Sequence, residues 1–263
     1  MSWENNQAGW PPNTETTEWS GMDAARFAWK VVKTDGFAIV APLFLAQLLA
    51  MLPVIILMGV QAAHTVAIIQ ARQLPDPLDP FVLEMQAATV VISWLSFGFI
   101  NGGVYRFALA AARGEPRSFG DVFSGGRWFG ASLTLMVLGG LVSLPMTIIP
   151  LVMRASGGPP QLQLPVTLLL LLPGILLSLA WSMTMPLIVD RGMGGVEAMK
   201  ESWRITSGRR VDIFLAMLVI VAVIVGGCCL CGVGMPIGMA IAPLAFSFIY
   251  LRLTKQPVVA TPS

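Results

Sequence analysis

Ile213-Phe-Leu-Ala-Met-Leu-Val-Ile-Val-Ala-Val-Ile-Val-Gly-Gly-Cys-Cys-Leu-Cys-Gly-Val-Gly-Met-Pro-Ile-Gly-Met-Ala-Ile-Ala-Pro-Leu-Ala-Phe-Ser-Phe-Ile-Tyr-Leu251 is a run of 39 residues without one Asp, Glu, Lys or Arg. A helix crosses the hydrocarbon core of a bilayer with about 20 apolar residues, so this run is long enough for two crossings. Its middle, from Gly226 to Gly234, is dense in glycine, which favours a tight turn between them. Four further charge-free runs, 36–71, 85–105, 128–153 and 155–189, each hold one crossing. The sequence therefore predicts an all-α polytopic membrane protein with six spans, near 37–59, 86–110, 128–151, 165–189, 211–229 and 233–252.

Composition points the same way. Of 263 residues, 56% are hydrophobic and 11% charged, against roughly 25% charged in an ordinary soluble domain. Sixteen basic and 14 acidic side chains supply too little polar surface to cover a water-soluble body of this size. The first twenty residues are polar and lack the basic start and apolar core of a secretory signal. Residues 1–20 are expected to form a flexible cytoplasmic tail, residues 21–252 the six-span membrane domain, and residues 253–263 a second cytoplasmic tail. Trp3, Trp10 and Trp19 either dip into the headgroup layer or stay in solvent.

Lysine and arginine set the orientation. Arg26, Lys30 and Lys33 precede the first span; Arg106, Arg113, Arg117 and Arg127 lie between the second and third. Arg191, Lys200, Arg204, Arg209 and Arg210 lie between the fourth and fifth, and Arg252 and Lys255 follow the sixth. Fourteen basic residues thus share one side, leaving Arg72 and Arg154 on the other. The positive-inside rule then places both termini in the cytoplasm.

The basic loops carry helical amphipathic spacing. In 21–33, Asp23, Arg26, Lys30 and Lys33 recur on one face and Met22, Ala25, Trp29 and Val32 on another, the pattern of a helix lying in the membrane interface. Val196, Met199 and Trp203 form the corresponding stripe of the third basic loop, with Glu197, Lys200, Glu201 and Arg204 on its wet face. At an offset of 174 residues the two segments match in glycine, acid, alanine, base, tryptophan and base, from Gly21 to Lys30 and from Gly195 to Arg204. The middle loop keeps only the spacing of Gly120 to Trp128. Three units follow, each an interfacial segment and a membrane hairpin.

The stretch from Pro186 to Arg210, with Asp190-Arg-Gly at its start and Glu201-Ser-Trp-Arg-Ile-Thr-Ser-Gly-Arg-Arg210 at its end, resembles the signature loop of a bacterial six-span superfamily. That group includes the YciC-like inner-membrane proteins and the membrane domain found beside glycerophosphodiester phosphodiesterase domains. Asn101-Gly-Gly-Val-Tyr-Arg-Phe107, Arg113-Gly-Glu-Pro116 and Phe119-Gly-Asp-Val-Phe123 are similar to the same group's connection between second and third spans. The resemblance implies fold and location and little chemistry, and no appended phosphodiesterase domain is expected.

Enzymatic motifs are wanting. His64 is the one histidine, and neither HExxH nor GxxxxGKS occurs. Asp190, Glu197, Glu201 and Asp212 sit among five cations, where pairing at the wet surface competes with acid–base chemistry. Cys228 and Cys231 have CxxC spacing at an outward turn; with Cys229 and His64 they sketch a Cys3His metal site, or allow one disulfide, or simply pack a tight helical hairpin. Gly98 and Gly102 make a GxxxG face around Asn101 for close helix packing. Pro42, Pro53, Pro145, Pro173, Pro186, Pro236 and Pro243 interrupt spans, building a cavity or only reflecting the tolerance of membrane helices for proline. No acidic residue lies near a predicted midplane, which argues against a proton-relaying pump.

Three functions remain. The preferred one is a non-enzymatic protein without cofactor that organises or protects the bilayer, or binds another integral membrane protein, with Lys200, Arg204, Arg209 and Arg210 on anionic lipid headgroups. The others are a transporter or exporter of a hydrophobic or amphipathic substrate, and an accessory subunit of a larger membrane complex. Membrane lipids and membrane proteins, not nucleic acids, are the expected partners.

Overall fold

The computed structural model describes residues 19–72, 76, 79–157, 159–229 and 234–259. Every regular element among them is helical. The order is α1 (Gly21–Asp35), α2 (Phe37–Gln70), α3 (Pro80–Arg113), a 3-10 helix (Phe119–Trp128), α4 (Phe129–Ala155), α5 (Pro160–Ala180), α6 (Thr184–Arg191), α7 (Gly195–Thr206), α8 (Arg210–Cys229) and α9 (Met235–Leu253).

Among the described residues, five stretches are long and apolar enough to cross a membrane: Phe37–Gln70, Pro80–Arg113, Phe119–Met153, Gln161–Arg191 and Met235–Leu253. Six were expected. The sixth expected span is α8, the first part of the 39-residue run, whose last side chains, from 227, and whose continuation at 230–233 lie outside the described residues. The coarser expectation stands, an all-helical chain with several helices suited to a membrane.

Two boundaries differ instructively from the sequence reading. Helices α2 and α3 each run for 34 residues, about 51 Å at 1.5 Å per residue, well beyond a hydrocarbon core of about 30 Å. The expected span 165–189 is broken, because α5 stops at Ala180 and α6 restarts at Thr184. A side chain fills the break. The buried Ser202 hydroxyl of α7 donates to the Ala180 carbonyl at 2.7 Å and accepts from the Met183 N–H at 3.2 Å, satisfying backbone groups that the interrupted helix leaves open. Pro186 sits in the first turn of α6, where its missing N–H costs no helical hydrogen bond.

The packed core lies at the end of the bundle that carries the basic loops. Burial in α2 is confined to Ile39, Pro42, Leu43, Ala46 and Ala50, in α3 it begins at Gly98, and α9 is buried from Gly238 to Leu251. Alanines 24, 28, 46, 108, 112, 198, 240 and 245 are almost wholly enclosed. Small residues of this kind let helix backbones approach where lipid, as apolar as leucine, offers no hydrophobic drive to associate. Away from this core, α2 exposes Leu52, Ile55, Ile56, Met58 and Val60, and α5 exposes Leu164, Leu168, Leu169 and Leu172. In water that would be an aggregating patch; against acyl chains it costs nothing.

The 3-10 helix replaces the amphipathic α-helix expected before the third span. It lies against α3 so closely that a Cβ added at Gly103 would overlap the Val122 carbonyl, and one added at Gly125 the Phe99 carbonyl. Gly98 and Gly102 lie beside this approach, the first facing Phe129 and Leu133 of α4, the second facing Trp128 and Gly125. Asn101 is half-buried between them.

Candidate functional site

Helix α7 presents three faces. Gly195, Ala198, Met199, Ser202 and Thr206 are buried against the protein. Glu197, Lys200 and Arg204 are exposed, with half-buried Glu201 beside them. Between these faces Val196 and Trp203 stand 48% and 46% exposed, although both are apolar. With Leu138 of α4 and Trp181 at the helix break, Val196, Met199, Lys200 and Trp203 line an open groove of about 480 Å3. At about 100° per residue, Lys200 falls on the border of the groove and the wet face. Its alkyl stem can follow apolar surface while the ammonium stays in water or headgroups.

The four cations expected on lipid headgroups divide into two kinds. Arg204 is engaged by Glu201 through two hydrogen bonds, at 2.6 and 2.7 Å, and Arg191 reaches the same carboxylate at 3.5 Å. The Arg204 hydrogen bonds are the main reason the Glu201 carboxyl titrates below its ordinary range. Arg209 pairs with Asp212 at 3.3 Å. Lys200 and Arg210, in contrast, form no ion pair among the described residues. Arg210 lies over the Trp203 ring, 4.3 Å from its centroid, and its buried Nε has no hydrogen-bond partner. A cation on an indole face is an attractive contact that leaves the charge available to an anion.

The same division runs through the basic loops. Of the fourteen cations assigned to one side, Arg26, Arg106, Arg113, Arg117, Arg191, Arg204 and Arg209 are ion-paired. The other seven, Lys30, Lys33, Arg127, Lys200, Arg210, Arg252 and Lys255, form no close ion pair among the described residues, although Arg252 lies near enough to Asp23 to help lower its carboxyl. Three of them rest on rings: Arg127 on Trp128, Arg210 on Trp203 and Arg252 on Phe248.

Helix α1 repeats the design of α7 in the register the sequence repeat predicts. Gly21, Ala24 and Ala28 are buried where α7 buries Gly195, Ala198 and Ser202. Met22 and Trp29 are 48% and 50% exposed, matching Val196 and Trp203. Arg26 takes the position of Lys200. The reading of Met22, Ala25, Trp29 and Val32 as one stripe needs correction at one position, since Val32 is buried. A face it missed, Ala24, Phe27, Ala28 and Val31, packs on α8 and α9. The signal was present as small residues at helical spacing. Asp23 also closes the N-terminus of α1, accepting from the Ser20 N–H at 2.8 Å, and that bond holds its carboxyl below the usual range.

Compared with protein-family models, with curated proteins and with solved structures, the chain matches none.

A second polar cluster lies where α3, α6 and α9 end. Asp190 of α6 pairs with Arg113 of α3, accepts from the Tyr250 hydroxyl of α9 at 2.6 Å, and accepts from Gln256 Nε2 at 3.0 Å. Gln256 Oε1 returns to Arg113. The Val259 N–H donates to the Ala112 carbonyl at 2.9 Å, laying the segment after α9 across the end of α3. Arg117 pairs with Asp35, joining the ends of α1 and α3 in the same way. These carboxylates are spent on structure, and the Asp190 side chain is 12% exposed.

His64 has no acidic neighbour in sequence and gains one from the fold. Its Nε2 shares a 2.8 Å hydrogen bond with Asp79, and its ring lies on Phe81. Asp79 also accepts from the Phe81 N–H at 2.9 Å, capping α3. Its carboxyl is lowered chiefly by the His64 bond. The pair fastens the far end of α2 to the start of α3. Cys231 lies outside the described residues, as do the side chains of Cys228 and Cys229 at the end of α8. Among the described residues, no three His, Cys, Asp or Glu side chains gather as a metal site would require.

Proposed function

We propose that this chain is a non-enzymatic protein of a bacterial inner membrane that organises the bilayer around it by holding anionic lipid on a basic cytoplasmic face. In this reading it has six spans in three hairpins, α2 with α3, α4 with α5 and α8 with α9. Each is preceded by an interfacial segment: α1, the 3-10 helix and α7. Both termini are cytoplasmic, and the resemblance of residues 186–210 to the YciC-like group supports the same layout.

The observation that carries the proposal is the seven unpaired cations of the basic loops, three of them lying on aromatic rings. Orientation alone needs positive charge in these loops, but places no demand on how each cation is partnered. Each near-surface cation contributes about 1 kcal/mol toward an anionic leaflet.

The test is lipid analysis of protein purified in mild detergent. Co-purified phospholipid is expected to be enriched in anionic species over the whole-membrane extract, and changing Lys30, Lys33, Lys200 and Arg210 together to Gln should reduce that enrichment several-fold. A lipid profile identical to the bulk membrane would contradict the proposal.

A further inference from the structure

We infer that the groove beside α7 is a binding site for one anionic phospholipid, with an acyl chain along Leu138, Trp181, Val196 and Met199 and its phosphate beside Lys200 and Arg210. The inference rests on the functional reading above and sharpens it from a charged face to a single site.

Three observations point to this ligand. The groove joins apolar walls to a cation at their polar border, the sequence of chemistries that a phospholipid presents from tail to phosphate. Its volume is about 480 Å3, and it is open along one side. A soluble anion would match Lys200 and Arg210 but leave the apolar walls without a partner; a neutral lipid would match the walls but not the cations. Of the carboxylates nearby, Glu201 is held by Arg204 and Arg191 and Asp212 by Arg209, while Glu197 stands exposed on the wet face.

The third observation is repetition. Met22, Arg26 and Trp29 on α1 reproduce Val196, Lys200 and Trp203 on α7 at matching exposure, 174 residues apart. Large exposed side chains kept in one register on two helices, each flanking a cation, mark a face turned to a common environment. At α7, Leu138 and Trp181 add a second wall that turns this face into a groove. The α1 copy is thus a lipid-facing surface, and the α7 copy a site.

The full-length protein in mild detergent is titrated with phosphatidylglycerol, phosphatidylcholine or inorganic phosphate, and bound species are counted by native mass spectrometry. One phosphatidylglycerol is expected to bind first and in preference to phosphatidylcholine, with no competition from millimolar phosphate. Val196→Trp, which fills the groove at an exposed position, and Lys200→Glu, which reverses the border charge, should each weaken that first event about tenfold. The double variant Lys30→Gln with Lys33→Gln, on α1 and outside the groove lining, should bind as wild type does. Both groove variants are exposed substitutions, and either alone decides the matter if the other fails to fold. If both bind phosphatidylglycerol as wild type while Lys30→Gln with Lys33→Gln loses it, the groove is overturned and the basic face stands. Competition by free phosphate reduces the site to an anion site and overturns the acyl assignment. Wild-type protein without preference for phosphatidylglycerol overturns both readings.

Discussion

Replacing Asp190 with Ala is expected to cost about 3 kcal/mol of stability. The carboxylate gathers Arg113 at the end of α3 and Tyr250 and Gln256 at the end of α9 and just beyond it, and removing it strands a guanidinium that is only 21% exposed. Breaking one partner of an enclosed ion pair costs more than the pair itself is worth, because the remaining charge stays desolvated. Asp190→Asn keeps an acceptor but loses the charge and should fall between wild type and alanine. Tyr250→Phe removes one hydrogen bond and should cost about 1 kcal/mol. Equilibrium unfolding in mixed micelles, followed by tryptophan fluorescence, reads all three. A network that only decorates the surface would leave all three variants within error of wild type.

Gly103→Val should be comparably damaging, by about 3 kcal/mol, because it drives a side chain into backbone. The Val122 carbonyl occupies the place its Cβ would take, and Gly125 meets the Phe99 carbonyl in the same seam, so neither backbone can give way by a rotamer change. Gly139→Ala is the control. A Cβ there meets nothing within 4 Å, and the substitution should be neutral or slightly stabilising in a helix. Gel filtration in detergent is expected to show a monodisperse peak for Gly139→Ala and an aggregated fraction for Gly103→Val. Equal profiles would mean that the seam between α3 and the 3-10 helix is looser than its geometry.

What the sequence revealed and what it concealed follow from the range of the interactions involved. Charge-free runs are a local signal set by the cost of burying charge in hydrocarbon, so the apolar helices could be read from them directly. The pairing of Glu201 with Arg204 is three residues apart and equally legible. The partner of Asp190 is not, since Arg113 lies 77 residues away and only the packing of α3 on α6 brings them together. Asp79 is likewise invisible as a partner of His64 until α2 returns antiparallel to α3. The GxxxG pattern directed attention to Gly98 and Gly102, while the closest backbone approach uses Gly103 of α3 and Gly125 of the 3-10 helix, a meeting of two elements that no helical periodicity encodes. The four cations Lys200, Arg204, Arg209 and Arg210 form one class by composition. Position splits them, because Glu201 and Asp212 occupy two and an indole ring carries a third.

The claim on which the functional account depends is that the faces bearing Lys200, Arg210 and Arg26 look into the cytoplasm, and cysteine accessibility tests it most directly. In a background lacking Cys228, Cys229 and Cys231, single cysteines at Ser156 and Ser207 are probed in intact spheroplasts with a membrane-impermeant maleimide; both positions are solvent-exposed in the fold. The account predicts labelling at Ser156 and protection at Ser207 until the membrane is permeabilised. Labelling of Ser207 in intact spheroplasts would place the basic face outside and contradict it.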